Sequence, residues 1–323
     1  MPRLIQWERQ IGRRLRLRDL FVFFTVVEYG SMAKAAAKLG VSTPSISEVI
    51  AALEHALGVR LLDRSPKGIA TTPYGEALLV RGRAAFDELH QGIRDIEFIA
   101  DPQAGELRIG SPESIAAGFL LSVIERLTAR YPRLRLHIQP VQQPTAQFPE
   151  LHERKVDLVV ARLEKDVVKK DEELEVEVLF DDPFLLVVGE KSKWARRRKV
   201  DLADLVDEPL IVPPAWSSDL VVEAFSSRGL KVPNFVVSTF SIPLRNNLVA
   251  SGRFMTVLPA SVVQTHGKRY SLKVLPIELP RHRYPVGIVT LRNRTVGPVV
   301  QLFIQCAREV AKSIAARPSR AEV

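Results

Sequence analysis

Apolar positions in the first 58 residues recur with a helical period. Leu17, Leu20, Phe21, Phe24 and Val27 follow i, i+3, i+4, i+7 spacing and predict a buried amphipathic helix. Tyr29-Gly30 breaks it. Ser31 is placed to cap a second helix, whose Ala33, Ala35, Ala36 and Ala37 allow close approach and which Gly40 ends. A third helix follows at once. Either Ser42 or Thr43 can be its N-cap, the second choice putting Pro44 at the first helical position, where a missing N–H is harmless. Ile46, Val49, Ile50, Leu53 and Leu57 form its apolar face, leaving Thr43, Ser45, Ser47 and Glu48 pointing elsewhere. Two short extended segments, Val59 to Leu62 and Ile69 to Thr71, then flank Asp63-Arg64-Ser65-Pro66-Lys67-Gly68, a hairpin with a basic tip.

Thr72-Pro73 gives another N-cap and first-turn proline, opening a pattern free of internal proline up to Asp101-Pro102. Within it Leu78, Gly82, Ala85, Leu89, Gly92, Ile96 and Ile99 alternate by 4 and 3, a coiled-coil type of seam about 40 Å long. A helix so long and thin needs a partner, so it reads as a dimerisation helix. After Gly105 short apolar strands alternate with helices. Leu107 to Ile109, Leu134 to Ile138, Val156 to Ala161, Phe184 to Val188, Leu210 to Val212, Phe235 to Val237, Phe254 to Leu258 and Val286 to Leu291 read as strands. Helices fall on a stretch that follows the first strand and runs through Ile124 and Leu127 to Tyr131, a stretch ending near Arg154, Leu220 to Arg228, Ile242 to Ser251 and Val299 to Ile314. This alternation predicts an α/β fold of parallel sheets with helices on their faces, long enough for two lobes.

Composition narrows the class. With 46% hydrophobic and 26% charged residues, disorder and low complexity are excluded. Arg13, Arg14, Arg16 and Arg18 before Leu20 to Val27 imitate a secretory signal, but Asp19 and Glu28 interrupt the run; no 18-residue apolar stretch exists. The expectation is a cytoplasmic chain with no membrane partner. One cysteine, Cys306, excludes an intramolecular disulfide, and its neighbours Leu302, Phe303, Ile304 and Val310 predict an inert helix-packing thiol. The net charge of +9 points to a polyanionic partner, and residues 1–83 hold 13 Lys and Arg against 7 Asp and Glu, so six of the nine charges lie in the first quarter.

The N-terminal residues supply the parts of a winged helix-turn-helix in order: a third helix with a polar face for the major groove, and a basic wing. Thr43, Ser45 and Ser47 are short donors and acceptors near the start of that helix, Glu48 can accept from cytosine N4, and Arg64 and Lys67 are phosphate or minor-groove contacts. The candidate DNA-binding set is Ser42, Thr43, Pro44, Ser45, Ser47, Glu48, Arg64, Lys67 and Thr72. Catalytic and metal readings find no support: there is no phosphate-cradling Gly-rich loop, no G-x-S-x-G and no H-E-x-x-H, and the six histidines show no paired ligand spacing. No catalytic residue, metal or cofactor is expected. Arg196-Arg197-Arg198-Lys199 reads as a solvated loop.

The run Phe24 to Leu39, then Val41 to Ser47, Ile50 to Gly58, Leu61-Leu62-Asp63-Arg64 and Thr71-Thr72-Pro73-Tyr74-Gly75, resembles the signature of LysR-type transcriptional regulators, densely over residues 18 to 80. The family pattern often has Gln at Thr43, a basic or amide residue at Glu48 and Phe at Leu62; the first two departures touch groups that would face bases and bear on operator preference. The resemblance implies a sequence-specific regulator that binds double-stranded operator DNA as a dimer of winged helices, commonly a homotetramer, with RNA polymerase as a further candidate partner. It also implies a C-terminal domain of the two-lobed periplasmic-binding-protein type with a small-molecule effector between the lobes. The expected divisions are a DNA-binding domain at 1–74, a linker helix and hinge at 75–104, and an effector domain at 105–315, with lobe one at 105–179 and 280–315 and lobe two at 180–279.

Ligands of open α/β sheets bind beyond the carboxyl ends of strands, where hydroxyls and free N–H groups at helix starts favour an anion. From the family's layout the effector contacts fall on Ser111, Ser114, Arg162, Ser217 and Thr239, with Trp216 as an apolar wall. The expected effector is a small carboxylate. Two rival readings are a constitutive architectural or repressor protein whose C-terminal domain only assembles oligomers, and a ligand-binding protein or enzyme with a helical extension.

Overall fold

A computed structural model describes residues 15–65, 68–141, 147–163, 171–214, 217–280 and 285–315. The chain forms two compact units that divide between Leu89 and His90. The first holds helices α1 (Leu17–Tyr29), α2 (Met32–Leu39) and α3 (Thr43–Leu57), the hairpin β1 (Leu62–Ser65) and β2 (Gly68–Thr71), and the beginning of α4 (Pro73–Ala100). Leu20, Phe23, Val26, Met32, Ala35, Ile46, Ile50, Leu53 and Leu61 make its core. Ser31 caps α2 by accepting from Lys34 N, and Gly40, in the left-handed region at φ 66°, lets the chain turn directly into α3.

The buried face of α1 differs from the pattern expected of it. Leu20, Val22, Phe23 and Val26 are buried, whereas Leu17 and Phe21 are about half exposed, at 54% and 50%. Phe21 and Phe24 lie beside Phe86 of α4, with ring centroids 6.3 and 5.4 Å away, so their side of the helix serves α4 rather than the three-helix core.

The second unit is built on two five-stranded sheets. One has the order β4 (Arg133–Pro140), β3 (Ala104–Ser111), β5 (Leu158–Arg162), β12 (Val286–Leu291), β6 (Leu174–Phe180). The other runs β11 (Leu272–Val274), β7 (Phe184–Gly189), β10 (Met255–Pro259), β8 (Leu210–Val212), β9 (Phe235–Ser238). Neither is wholly parallel, contrary to the alternation rule. β3 runs parallel to β4 and β5, but β12 is antiparallel to both β5 and β6; β8 runs parallel to β9 and β10, but β7 is antiparallel to β10 and β11. The chain leaves the first sheet after Phe180 and returns only at Val286, so β12 enters from the other lobe and in the opposite sense.

A helix, here α5, runs from Glu113–Ile115 through a π-helical turn, Ala116–Leu120, into Leu121–Arg130. Ile115, Phe119, Val123 and Leu127 recur every four positions as a buried stripe, with Leu120 buried beside Phe119. In a uniform α-helix that stripe drifts by about 40° per step. The wider π turn takes back part of the drift, keeping the stripe on the first sheet. The other α-helices among the described residues are α6 (Pro149–His152), α7 (Ser217–Ser226), α8 (Ile242–Ala250), α9 (Ala260–His266) and α10 (Pro298–Ala315). Cys306, on α10, is buried against Val123 O at 3.7 Å, and burial pushes its thiol up, away from the thiolate. Among the described residues no helix is long and apolar enough to cross a membrane, and no His, Cys, Asp and Glu cluster could hold a metal.

Candidate nucleic-acid interface and effector cleft

The first turn of α3 leaves the fold surface as a polar edge. Ser42 is its N-cap, with Thr43 and Pro44 in the first two helical positions; Ser45 N donates to Ser42 Oγ at 3.3 Å, and the two hydroxyl oxygens lie 2.8 Å apart. Thr43, Pro44, Ser45 and Glu48 are exposed, while Ser47 is half-buried beside Ile46. The rest of α3 is anchored by Ile46, Ile50 and Leu53, so this edge is held rigidly.

Arg64 lies within β1, paired with Ile69 across the hairpin, and is exposed. Lys67 lies outside the described residues. Thr72 takes the N-cap role that Thr72-Pro73 predicts, and as a member of the candidate DNA-binding set it is a buried side chain. It is 8% exposed, donates Oγ1 to Arg60 O at 2.7 Å and accepts from Gly75 N at 3.1 Å, so it caps α4 and builds the frame rather than the interface. Two further clamps act on the same segment. Glu54 Oε1 accepts from Leu61 N and Leu62 N at 2.7 and 3.1 Å, and Gly75 packs so closely that a Cβ there would stand 2.1 Å from Leu61 O. Glu54 lies on the third helix near its end, and nothing in its sequence position signals its reach to the wing. Lys34 and Lys38, both exposed on α2 one turn apart, and exposed Arg60 add further cations to this unit, the lysines signalled by their i, i+4 spacing.

In the second unit the residues expected to meet an effector separate into two groups. Ser114, in the first turn of α5, is half-buried, and Thr239, after β9, is half-buried with Oγ1 accepting from Ser241 N at 3.1 Å. Ser217 opens α7, but its side chain and Trp216 lie outside the described residues. Ser111 and Arg162, by contrast, are committed inward. Ser111 is 1% exposed and its Oγ donates to Pro112 O at 3.3 Å. Arg162 is the last residue of β5 rather than part of the following loop. Its Nη1 donates to Asp182 O at 2.7 Å and its Nη2 to Asp182 Oδ2 at 2.6 Å, with the Phe184 ring 4.5 Å from the guanidinium. Burial lowers the guanidinium pKa and Asp182 opposes that shift. The guanidinium expected in the effector site is thus buried in an ion pair with Asp182.

Asp182 carries this tie onward, since its carboxylate also accepts from Ser261 N and Ser261 Oγ at 2.9 and 2.7 Å, at the start of α9. The π turn of α5 packs on α9, where the His266 ring lies 2.8 Å from Ala117 O through Nε2. The two lobes therefore meet through specific polar contacts. An open groove of about 560 Å³ is lined by Ser122, Arg126, Ser261, Gln264 and Ser313 among others; among the described residues, Ser111, Ser114, Arg162 and Thr239 do not line it.

Known proteins resemble this arrangement over nearly its whole length. A family profile described as the LysR substrate binding domain matches residues 100–312, and one described as bacterial regulatory helix-turn-helix protein, lysR family, matches residues 17–76. The HTH-type transcriptional regulator TdcA of Escherichia coli strain K12 is 26% identical over 299 residues, spanning 91% of this chain and 93% of TdcA. The DNA-binding transcriptional dual regulator OxyR of the same strain is 29% identical over 300 residues, 92% of this chain and 95% of OxyR. The structure of a full-length OxyR variant from Pseudomonas aeruginosa shares the fold, with a TM-score of 0.61 at 21% identity, covering 94% of this chain and 96% of that one.

Proposed function

Because the chain belongs to the LysR family of DNA-binding transcriptional regulators, we propose that it reads its operator with the first turn of α3 and holds the DNA backbone with the wing. The observation that carries this assignment is the exposed edge of Thr43, Pro44, Ser45 and Glu48 on a helix otherwise locked into the core. In this reading Ser42, Thr43, Ser45, Ser47 and Glu48 meet base edges or flanking phosphates, and Arg64 and Lys67 meet phosphate. Lys34 and Lys38 on α2, the helix that crosses the backbone in such motifs, join them. The DNA-binding head comprises residues 1–74, the linker 75–104 and the effector domain 105–315.

The effector is a small carboxylate-bearing molecule taken up between the lobes near Ser114, Trp216, Ser217 and Thr239, acting in the cytoplasm. It shifts the regulator by binding one lobe arrangement better than another, since equal affinity for both would change nothing. The exposed isoleucines of α4 support a homodimer, which pairs into a tetramer and presents DNA-bound regulator to RNA polymerase.

Footprinting on the DNA upstream of the protein's own gene, over a salt series, tests the assignment. The expected result is a two-part protected site, weakened by salt and by Arg64→Ala on every sequence, with the salt slope reduced by about 1 in the variant. Protection that is diffuse, sequence-independent and indifferent to Arg64 would reject it.

A further inference from the structure

Glu113 brings a carboxylate from the first lobe onto a helix of the second. It stands in the first turn of α5, is exposed, and its Oε1 accepts a hydrogen bond from Ile242 N, in the first turn of α8, at 2.9 Å. Negative charge is favoured at that end of a helix. The neighbouring donors are already engaged: Leu244 N donates to Ser241 Oγ at 3.3 Å and Arg245 N to Ser241 O at 3.1 Å, while position 243 is a proline. One turn further in, Arg245 is 2% exposed, with Nη2 donating to Val257 O at 3.1 Å and Nε without a hydrogen-bond partner. Burial lowers its guanidinium to about 10 even with Glu113 opposing the shift, so the cation persists at neutral pH. A cation that deep needs a counter-charge. Beside it Asn246, 1% exposed, has neither amide atom partnered. The polar side of α8 is thus under-satisfied on its own and draws on a carboxylate supplied by the other lobe.

We propose that Glu113 is an internal latch: its carboxylate binds the start of α8 and offsets Arg245, holding the two lobes together without a ligand, and an external carboxylate can take its place. The regulatory meaning rests on reading this unit as a two-lobed effector domain, but the test does not. An effector carboxylate would compete with Glu113 for Ile242 N–H and the Arg245 charge, converting a closed arrangement set by the protein into one set by the ligand.

Hydrogen–deuterium exchange on the full-length protein tests the latch, using peptides that cover residues 239–250 in sodium chloride and in sodium acetate of equal ionic strength. Acetate is the probe because it restores the carboxylate that Glu113→Ala deletes. Losing a charge-assisted hydrogen bond raises a local opening equilibrium by about tenfold or more, so exchange at the start of α8 should accelerate by that factor in Glu113→Ala. Acetate should slow it again while leaving the wild type unchanged. Glu113→Gln, which keeps an acceptor but no charge, should fall between. Wild-type exchange in Glu113→Ala, or equal acetate protection of wild type and variant, overturns the proposal. Should Glu113→Ala exchange rapidly everywhere, Glu113→Gln decides: unchanged exchange at α8 overturns the latch. The footprint on operator DNA is read separately, so failure of the latch and failure of the regulator assignment remain distinct.

Discussion

Glu54 is a carboxylate in a unit whose surface must meet phosphate, where a free negative charge weakens binding. Its orientation removes the conflict. The side chain turns away from the first turn of α3 and accepts two backbone N–H groups at Leu61 and Leu62, at the start of the strand that carries Arg64. Truncation should leave those donors unsatisfied, at a cost of about 1–3 kcal/mol each, and let the wing drift. Glu54→Ala is therefore expected to weaken operator binding without altering base preference. In a double-mutant cycle by fluorescence anisotropy, the loss caused by Arg64→Ala should shrink once Glu54 is gone; strictly additive losses would mean that the wing is placed without it. At this scale the sequence was legible where a residue acts locally. Ser42, Pro44 and their neighbours announce a capped helix start. Thr72 and Arg162 show the limit, because residue type states what a side chain can bind, not which partner elsewhere in the chain it already holds.

Helix α4 shows how one periodic pattern can serve two purposes. The expected seam begins with Leu78 and Gly82, and both face inward in the first unit, where a Cβ on Gly82 would stand 2.4 Å from the Phe24 ring. In the second unit Ile93, Ile96 and Ile99 stay exposed, at 54%, 68% and 78%. Three isoleucines facing water within two turns are what an unpaired coiled-coil stripe presents. Ile96→Asp should dissociate the dimer, because two copies of a side chain worth about 1.5–3 kcal/mol each raise the dissociation constant about a hundredfold or more. Sedimentation velocity across a dilution series reads the change, and an unaltered mass would place the dimer contact elsewhere. The heptad signal was clear in sequence, but a period cannot say which part of a stripe meets its own chain. Short strands posed the opposite problem. β6 alternates Leu174, Val176 and Val178 with glutamates but is absent from the expected strands, and β11 is too short to carry a pattern.

At the scale of the whole molecule, Asp157 gathers the second unit around one buried charge. Arg94 from the last turns of α4, Arg108 from β3 and Arg294 after β12 reach its carboxylate at 3.3, 2.8 and 2.6 Å, and Arg108 N adds a backbone bond at 2.8 Å. Burial pushes the carboxyl up, but the hydrogen bonds and charge of Arg108 and the charge of Arg294 outweigh it, leaving Asp157 below its ordinary 3.8. A depressed folded pKa contributes stability that is present above the unfolded value and is lost as pH falls through the folded one. Urea unfolding between pH 3 and 7 should show wild-type stability dropping below about pH 4, and Asp157→Asn should be less stable by about 3 kcal/mol at pH 7 with a flatter acid limb. Parallel limbs would assign the acid sensitivity to other carboxylates. Nothing in the sequence links Arg94, Arg108, Asp157 and Arg294, since their convergence exists only once the first sheet is assembled, and the mixed strand directions of that sheet were hidden for the same reason. That sheet also carries a consequence for biosynthesis. Its strand β12 sits between β5 and β6 but is translated after the entire second lobe. From the time Phe180 leaves the ribosome until Val286 to Leu291 follow, the first lobe waits with an open slot between two strand edges. The second lobe can finish folding before the first, and a nascent chain stalled in that interval exposes the edges most prone to wrong pairing.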